Sequence, residues 1–465
     1  MRFNRRDIFR IVAALPFAAS AQAAVPANKL AVASRVLDVK GKAAKVFGIA
    51  RPDGKAGLEL TYGEAFDVAL KNNLQHSTAI HWHGLTPPTA MDGVPGLSGS
   101  ALGAGETRLY RFANKRAGTH WMHSHLGLQE QQLLAAPLIV RETEKPVFEE
   151  QEHVVMLHDF TFRDPAEILA ELKGGGGHAM HMKMDHSKMS NMKMDGMAMG
   201  SDVAFDALLA NDRTLDDPEI VNVDKGSTVR LRIINAAAAT NMWVDLGQLK
   251  GQLIAVDGNA VKPVSVSRFP LAIAQRADVR ITVPNEAVGW TILFQSEGAA
   301  LRGGIVLKVG DGAIAKISDQ GEAGEALSLD FEANLRVPYE LKKAKVSQRE
   351  MVMLTGGDDG YQWGFNGKPM MHDVLFRVKH GTRVELTMHN MTSMAHPMHL
   401  HGHYFQLTAI NGQAFEGALR DTVLIPPDQM VSVEFDADNP GTWAFHCHHL
   451  YHMNSGMMAA MAYRS

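Results

Sequence analysis

Cysteine is almost absent from this chain: Cys447 is the only one in 465 residues, so no intramolecular disulfide can form. Histidine is missing from the whole stretch between His186 and His372, although the chain holds 22 of them. Long apolar runs are lacking as well, and nothing in the middle of the chain approaches the length of a membrane-crossing helix. Basic residues are in no surplus, with 46 Lys and Arg against 50 Asp and Glu, which argues against nucleic acid or an anionic membrane as partner. What remains, 46% hydrophobic and 7% aromatic, is an ordinary globular balance on a chain long enough for two to four domains.

Metal-binding chemistry converges near the C-terminus. In Phe445-His446-Cys447-His448-His449-Leu450-Tyr451-His452, followed by Met457, the spacing Cys-x4-His-x4-Met offers thiolate, imidazole and a weak thioether in the order a blue-copper loop needs. An extended strand points alternate side chains to opposite faces, so Cys447 faces one way while His446 and His448 face the other. One segment can therefore touch two metal sites. The alternation recurs in His81-Trp82-His83-Gly84, His123-Ser124-His125 and His399-Leu400-His401. With His446 and His448 these make eight imidazoles in four His-x-His pairs, enough for a three-metal cluster. His396, at an odd offset from His399, turns to the other face and completes the blue site, for four copper ions in all. His76, His120, His153, His158, His372, His380, His389 and His449 read as ordinary solvated or hydrogen-bonded side chains. His403 shares a face with His399 and His401.

The motifs His-Trp-His-Gly, His-Trp-Met-His-Ser-His, His-Pro-Met-His-Leu-His-Gly-His and His-Cys-His-x3-His-x4-Met resemble, in kind and order, the copper-binding motifs of the multicopper oxidases. Met91-Asp92-Gly93-Val94-Pro95 and Gln275-Arg276-Ala277-Asp278-Val279 extend the resemblance over nearly the whole chain. It implies a type 1 copper on His396, Cys447, His452 and Met457, and a type 2 copper on His81 and His399. The two type 3 coppers would then be held by His83, His123 and His448, and by His125, His401 and His446. The resemblance gives His403 no ligand role. Asp92 matches an acidic residue that lies beside the trinuclear cluster in the family and assists protonation. Asp421 is expected to orient a type 1 imidazole from behind. Met394, two residues before His396, matches a methionine that helps hold substrate copper in copper-efflux oxidases. Two acids of such relatives are replaced here: the one four residues before the first type 1 histidine by Thr392, and the one directly after the second by Met453.

At the N-terminus, Asn4-Arg5-Arg6-Asp7-Ile8-Phe9-Arg10 precedes an apolar run and an Ala21-Gln22-Ala23 exit, the pattern of a twin-arginine signal peptide over residues 1–23. Export to the periplasm is the expectation, and copper ligation would protect the unpaired thiol there. Short Val, Leu, Ile and Phe runs broken by Gly, Pro, Asn and Asp predict an all-β chain of antiparallel sandwiches or barrels. Together with the resemblance, they point to three cupredoxin-like Greek-key domains at residues 24–145, 146–310 and 346–465, joined by a mixed-charge connector at 311–345. The first and third domains supply all the copper ligands, so the trinuclear cluster must lie between them, with the middle domain as a spacer. A monomer is expected.

Residues 178–199 are a second unusual segment, with eight of the 26 methionines. Met180, Met182, Met184, Met189, Met192, Met194, Met197 and Met199 are interleaved with Lys, Asp and Ser, alongside His178, His181 and His186. Thioethers are soft, neutral ligands that prefer Cu(I), so the segment reads as a solvent-exposed set of labile Cu(I) or Cu(II) sites that captures cuprous ion. An amphipathic methionine helix packed on a core or partner is the alternative.

The reaction class that follows is oxidation of a reductant coupled to reduction of O2 to water. The expected substrate is Cu(I), oxidised to Cu(II) in copper tolerance, with a periplasmic copper donor as partner. Laccase-like oxidation of phenolic reductants is the second reading, and a non-enzymatic copper-storage or carrier protein a third.

Overall fold

The computed structural model describes residues 26–142, 149–174, 201–342, 344–357 and 360–464. The leader at 1–23 and the methionine-rich segment at 178–199, with His178, His181, His186 and its eight methionines, lie outside the described residues.

Alternation of apolar and polar side chains builds the strands. In Ala65–Asn72, Phe66, Val68 and Leu70 turn inward while Ala65 and Lys71 are exposed. Two four-stranded sheets close over such faces in the N-terminal block, and their core holds Val32, Phe66, Val68, Trp82, Met122 and Leu138. The middle block pairs two six-stranded sheets around Leu231, Val279, Phe294 and Ile305. The C-terminal block pairs a seven-stranded with a five-stranded sheet around Leu386, Val433, Trp443 and Phe445. The all-β class holds. The sheets, however, are mixed and not purely antiparallel: Asn28–Val39 runs parallel to Ala65–Asn72, Gln151–Phe160 to Thr228–Asn235, and Val346–Gly356 to Arg383–Asn390. Crossing between the two layers before returning brings strands of like direction side by side.

The connector expected at 311–345 packs into the fold where it is described. It buries Leu327, Leu329 and Leu335, and Glu332 accepts from Arg420 at 2.9 Å.

The middle block is also more than a spacer. Arg276, fully buried on Arg276–Thr282, donates to the Asp421 carboxylate at 2.7 Å and to the Thr119 carbonyl at 3.2 Å, joining all three blocks at one guanidinium. Gln275 donates to the Thr422 carbonyl at 3.1 Å. Asp278 accepts from Thr119 at 2.6 Å while facing Arg230 and Arg232. The Gln275–Val279 motif thus clamps the interface between the outer blocks. Removing one partner of such a buried ion pair costs about 3–5 kcal/mol, because the other charge is left uncompensated.

Candidate metal centres

Cys447 ends the strand Thr442–Cys447, beside His396–Leu400, and the chain then turns into the short helix Leu450–Met453 that carries His452. That path brings His396 Nδ1 to 3.6 Å and His452 Nδ1 to 3.8 Å from the Cys447 sulfur, with the two nitrogens 3.2 Å apart. All three side chains are buried, as is Met457, just before the return strand Met458–Tyr463. Trp363 lies against the His452 ring at 4.0 Å between centroids. Burial pushes the Cys447 thiol up, and the His452 imidazole down to about 3, burial being the first cause and neighbouring His449 the next. A cation that displaces the thiol proton relieves the first of these costs.

The eight paired histidines meet in a second buried group. His125 Nε2 and His401 Nε2 stand 3.3 and 3.0 Å from His446 Nε2. The His83 and His399 rings stack at 3.9 Å, those of His81 and His401 lie at 3.8 Å, and those of His123 and His448 at 4.9 Å. The residues around them hold one nitrogen of most rings from outside. His81 Nδ1 faces the Asp92 carbonyl at 2.9 Å, His399 Nδ1 the Asp421 carbonyl at 2.7 Å, and His446 Nδ1 the Cys447 carbonyl at 2.9 Å. His401 Nδ1 meets the Asp92 carboxylate at 2.8 Å, and His123 Nδ1 the Glu130 carboxylate at 2.9 Å.

Nitrogens of five of these rings, His81 Nε2, His83 Nδ1, His123 Nε2, His399 Nε2 and both of His448, are buried with no hydrogen-bond partner among the described residues. An unpaired buried polar atom costs about 1–3 kcal/mol, so five such rings in one place fit a pocket completed by metal ions. Burial first, then crowding by other imidazoles, holds His83, His123, His125, His399, His401 and His448 well below the usual histidine range. His446 is lowered to about 4 by burial. Neutral imidazoles are the form that ligates metals.

Several expectations need correcting. Asp421 does not back a type 1 imidazole: its carboxylate lies 3.0 Å from His83 Nε2 and its carbonyl meets His399. The register explains this, since His396 pairs with Ile425 and His399 with Thr422, putting Asp421 at the far end of the ladder from His396. His120 is not solvated; it is fully buried, and burial lowers it to about 3, against the backbone of Ala117 that acts to raise it. His449 is not solvated either: its ring stacks on His452 at 3.8 Å, and its Nε2 faces the Asp202 carboxylate at 3.3 Å. His403 stays out of the group, turning its Nε2 to the Tyr463 hydroxyl at 2.7 Å. Met394 is buried in the same core cluster as Cys447 and Met457. Thr392 places its hydroxyl 2.7 Å from His396 Nε2.

Two carboxylates escaped sequence reasoning. Glu130, buried in the single turn Gln129–Gln132, reaches His123 and stands 3.7 Å from His448 Nδ1; burial, then Asp159, raises its carboxyl well above the usual range. Asp202, just after the methionine-rich segment, lies 3.3 Å from His449 Nε2 and 3.5 Å from His452 Nε2, and accepts from the Tyr361 hydroxyl. Burial alone would raise the Asp202 carboxyl, but the two facing imidazoles hold it well below the usual range. No motif marks either residue. The only local signal is that Glu130 follows His125 by five residues.

Family models described as multicopper oxidase match residues 33–145, 151–309 and 344–465. The chain belongs to the multicopper oxidase family. It is 29% identical to Multicopper oxidase MmcO of Mycobacterium tuberculosis, over 87% of this chain and 81% of that one. Copper resistance protein A of Escherichia coli is 27% identical over 85% of each chain. In fold it is similar to Fet3p, described as a multicopper oxidase that functions in iron import, with a TM-score of 0.77 at 19% identity over 94% of this chain and 90% of that one. The sandwiches of this multicopper oxidase are thus cupredoxin-like, the family makes the chain an oxidoreductase, and copper is the metal its histidine groups fit.

Proposed function

We propose that this multicopper oxidase oxidises Cu(I) to Cu(II) at the expense of O2 in the periplasm, as part of copper tolerance. His396, Cys447, His452 and Met457 would hold one type 1 copper, and the eight paired histidines one type 2 and two type 3 coppers. When bound, these ions supply one-electron acceptance at the thiolate and four-electron reduction of O2 at the cluster. The chain itself supplies the connection, because Cys447 is joined through its own backbone to His446 and His448, whose rings lie in the eight-histidine group. Asp92, between His81 and His401, is positioned to hold or pass a proton there.

The observation that carries the choice of substrate concerns the residues flanking the methionine-rich segment. On one side, Ile168 and Leu172 of the helix Pro165–Lys173 pack into the core cluster that contains Cys447 and Met457. On the other, Val203 joins the same cluster and Asp202 faces His452. The described residues that flank the run of soft Cu(I) donors thus pack into the domain core that holds the electron-accepting group, and Asp202 among them stands beside His452. Phenol oxidation is the second reading, favoured by the Asp202 carboxylate beside His452, which is suited to accept a phenolic O–H; Laccase-2 of Botryotinia fuckeliana is 23% identical over 85% of this chain and 74% of that one.

Oxygen uptake by the copper-loaded protein with Cu(I) as sole reductant, beside a variant lacking residues 178–199 and a phenol control, tests the proposal. The expected result is uptake near one O2 per four Cu(I), weakened by the deletion, with phenol turnover kept. Uptake with phenol and none with Cu(I) would overturn it.

A further inference from the structure

The outer face of the C-terminal seven-stranded sheet carries a feature that neither metal centre uses. In Val346–Gly356, Val352 and Leu354 are buried while Met351 and Met353 are 63% and 41% exposed, so both methionines stand on the solvent side. In Arg383–Asn390 the same alternation buries Met388 and turns His389 outward, and in Met430–Asp436 it turns Met430 outward. The register aligns them: Met353 pairs with His389, and His389 with Met430. Side chains directly opposite one another across adjacent strands share a face, with Cβ atoms about 4.5–5.5 Å apart. Met353, His389 and Met430 therefore form one thioether-imidazole-thioether row. Met351 adjoins it in the next row, opposite Thr387. Met391, two residues beyond His389 and 56% exposed, continues the ladder by donating its N–H to the Leu354 carbonyl at 3.0 Å.

We propose that this row is a surface binding site for a soft monovalent cation, Cu(I) or its redox-silent analogue Ag(I), distinct from both buried centres and from the methionine-rich segment. Its donors are neutral and soft, a set that favours such ions over hard divalent ones. The row itself contains no charged side chain; the nearest pair along the strands, Arg349 with Glu385 at 2.9 Å, lies beyond the Met351 row. Exposed methionines concentrated around one imidazole also call for a partner, since apolar side chains gathered on an otherwise polar sheet face are seldom idle. The position suits delivery. Next to His389, the Asn390 side chain donates to the Met394 carbonyl at 2.7 Å, and Thr392 contacts His396 at 2.7 Å, so the row stands on the loop that leads into the mononuclear group.

The test titrates Ag(I) into copper-loaded full-length protein, comparing wild type with a Met353→Leu, His389→Gln, Met430→Leu triple variant by calorimetry. The methyl signals of 13C-methyl methionine are followed in the wild type, so that one arm needs no substitution. The triple variant is expected to bind one Ag(I) fewer, with phenol-driven O2 uptake unchanged, and the Met353 and Met430 methyl signals to shift in the wild type. Equal Ag(I) stoichiometry in the two proteins, or unshifted Met353 and Met430 methyls, would overturn the proposal. So would a change confined to sedimentation, which would mark the face as a protein-docking patch. None of these outcomes depends on Cu(I) being oxidised, so the site and the cuprous-oxidase reading fail separately.

Discussion

His396, Cys447, His452 and Met457 come from one sandwich, whereas the eight paired histidines come half from residues 81–125 and half from residues 399–448. The mononuclear group is assembled by one strand pair and one turn, so its geometry follows from local structure and a single ladder. The larger group exists only where two sandwiches meet, and its rings are held by groups from both of them, with Arg276 of the middle block fixing Asp421 at the junction. A site drawn from separate units needs an interface whose own bonds are as specific as the metal ligands. That is the work of the middle sandwich.

The sharpest way to break this comparison is Cys447→Ser. It should lower reductant-driven O2 uptake well beyond the roughly 10–100-fold typical of residues that only support a ligand, and bleach the thiolate-to-copper absorption, while copper bound by the eight histidines remains countable by metal analysis. Arg276→Met should act on the other centre, leaving Asp421 buried and unpaired. A loss of about 3–5 kcal/mol in urea unfolding is expected, with copper lost from the eight-histidine group before the thiolate absorption fades.

Copper removal should make stability strongly pH-dependent. The buried imidazoles have folded values below the ordinary 6.5, with His446 at about 4 and His452 at about 3, so the unfolded chain takes up protons first as pH falls. The metal-free protein should therefore lose stability from about pH 7 downward, by on the order of 1 kcal/mol per pH unit for each such histidine, until the folded values are reached. Glu297, pushed up to about 7 by burial, works the other way over this window, as do the buried Glu130, Asp159 and Asp257 carboxyls, also raised by burial, but these four are outnumbered by the lowered histidines. Urea midpoints at pH 7 and pH 5, with and without copper, would check the sign; a flat profile in the metal-free protein would contradict it. The smallest effect is expected from Asp202→Asn, which should keep the thiolate absorption and change KM for the reductant by roughly tenfold, with kcat moving less. An unchanged KM would separate Asp202 from electron entry.

The twelve expected ligands were legible in the sequence because strand alternation and short spacing are local properties: His-x-His on a strand must share a face, and Cys-x4-His-x4-Met must close one turn. The all-β class followed from the same periodicity. The groups that hold those side chains in place were not legible in this way. Asp421 belongs with His83 and His399 because a ladder register put it there, and Glu130 meets His123 because the turn that carries it folds back beside that histidine. Asp202 reaches His452 across 250 residues of chain, and Arg276 reaches Asp421 across 145. The sequence by itself determined which side chains offer metal-binding chemistry, since that chemistry is written in side-chain type and local spacing. Only the tertiary structure decided what orients and charges them, because those contacts depend on which sandwich faces which, and no spacing along the chain encodes that.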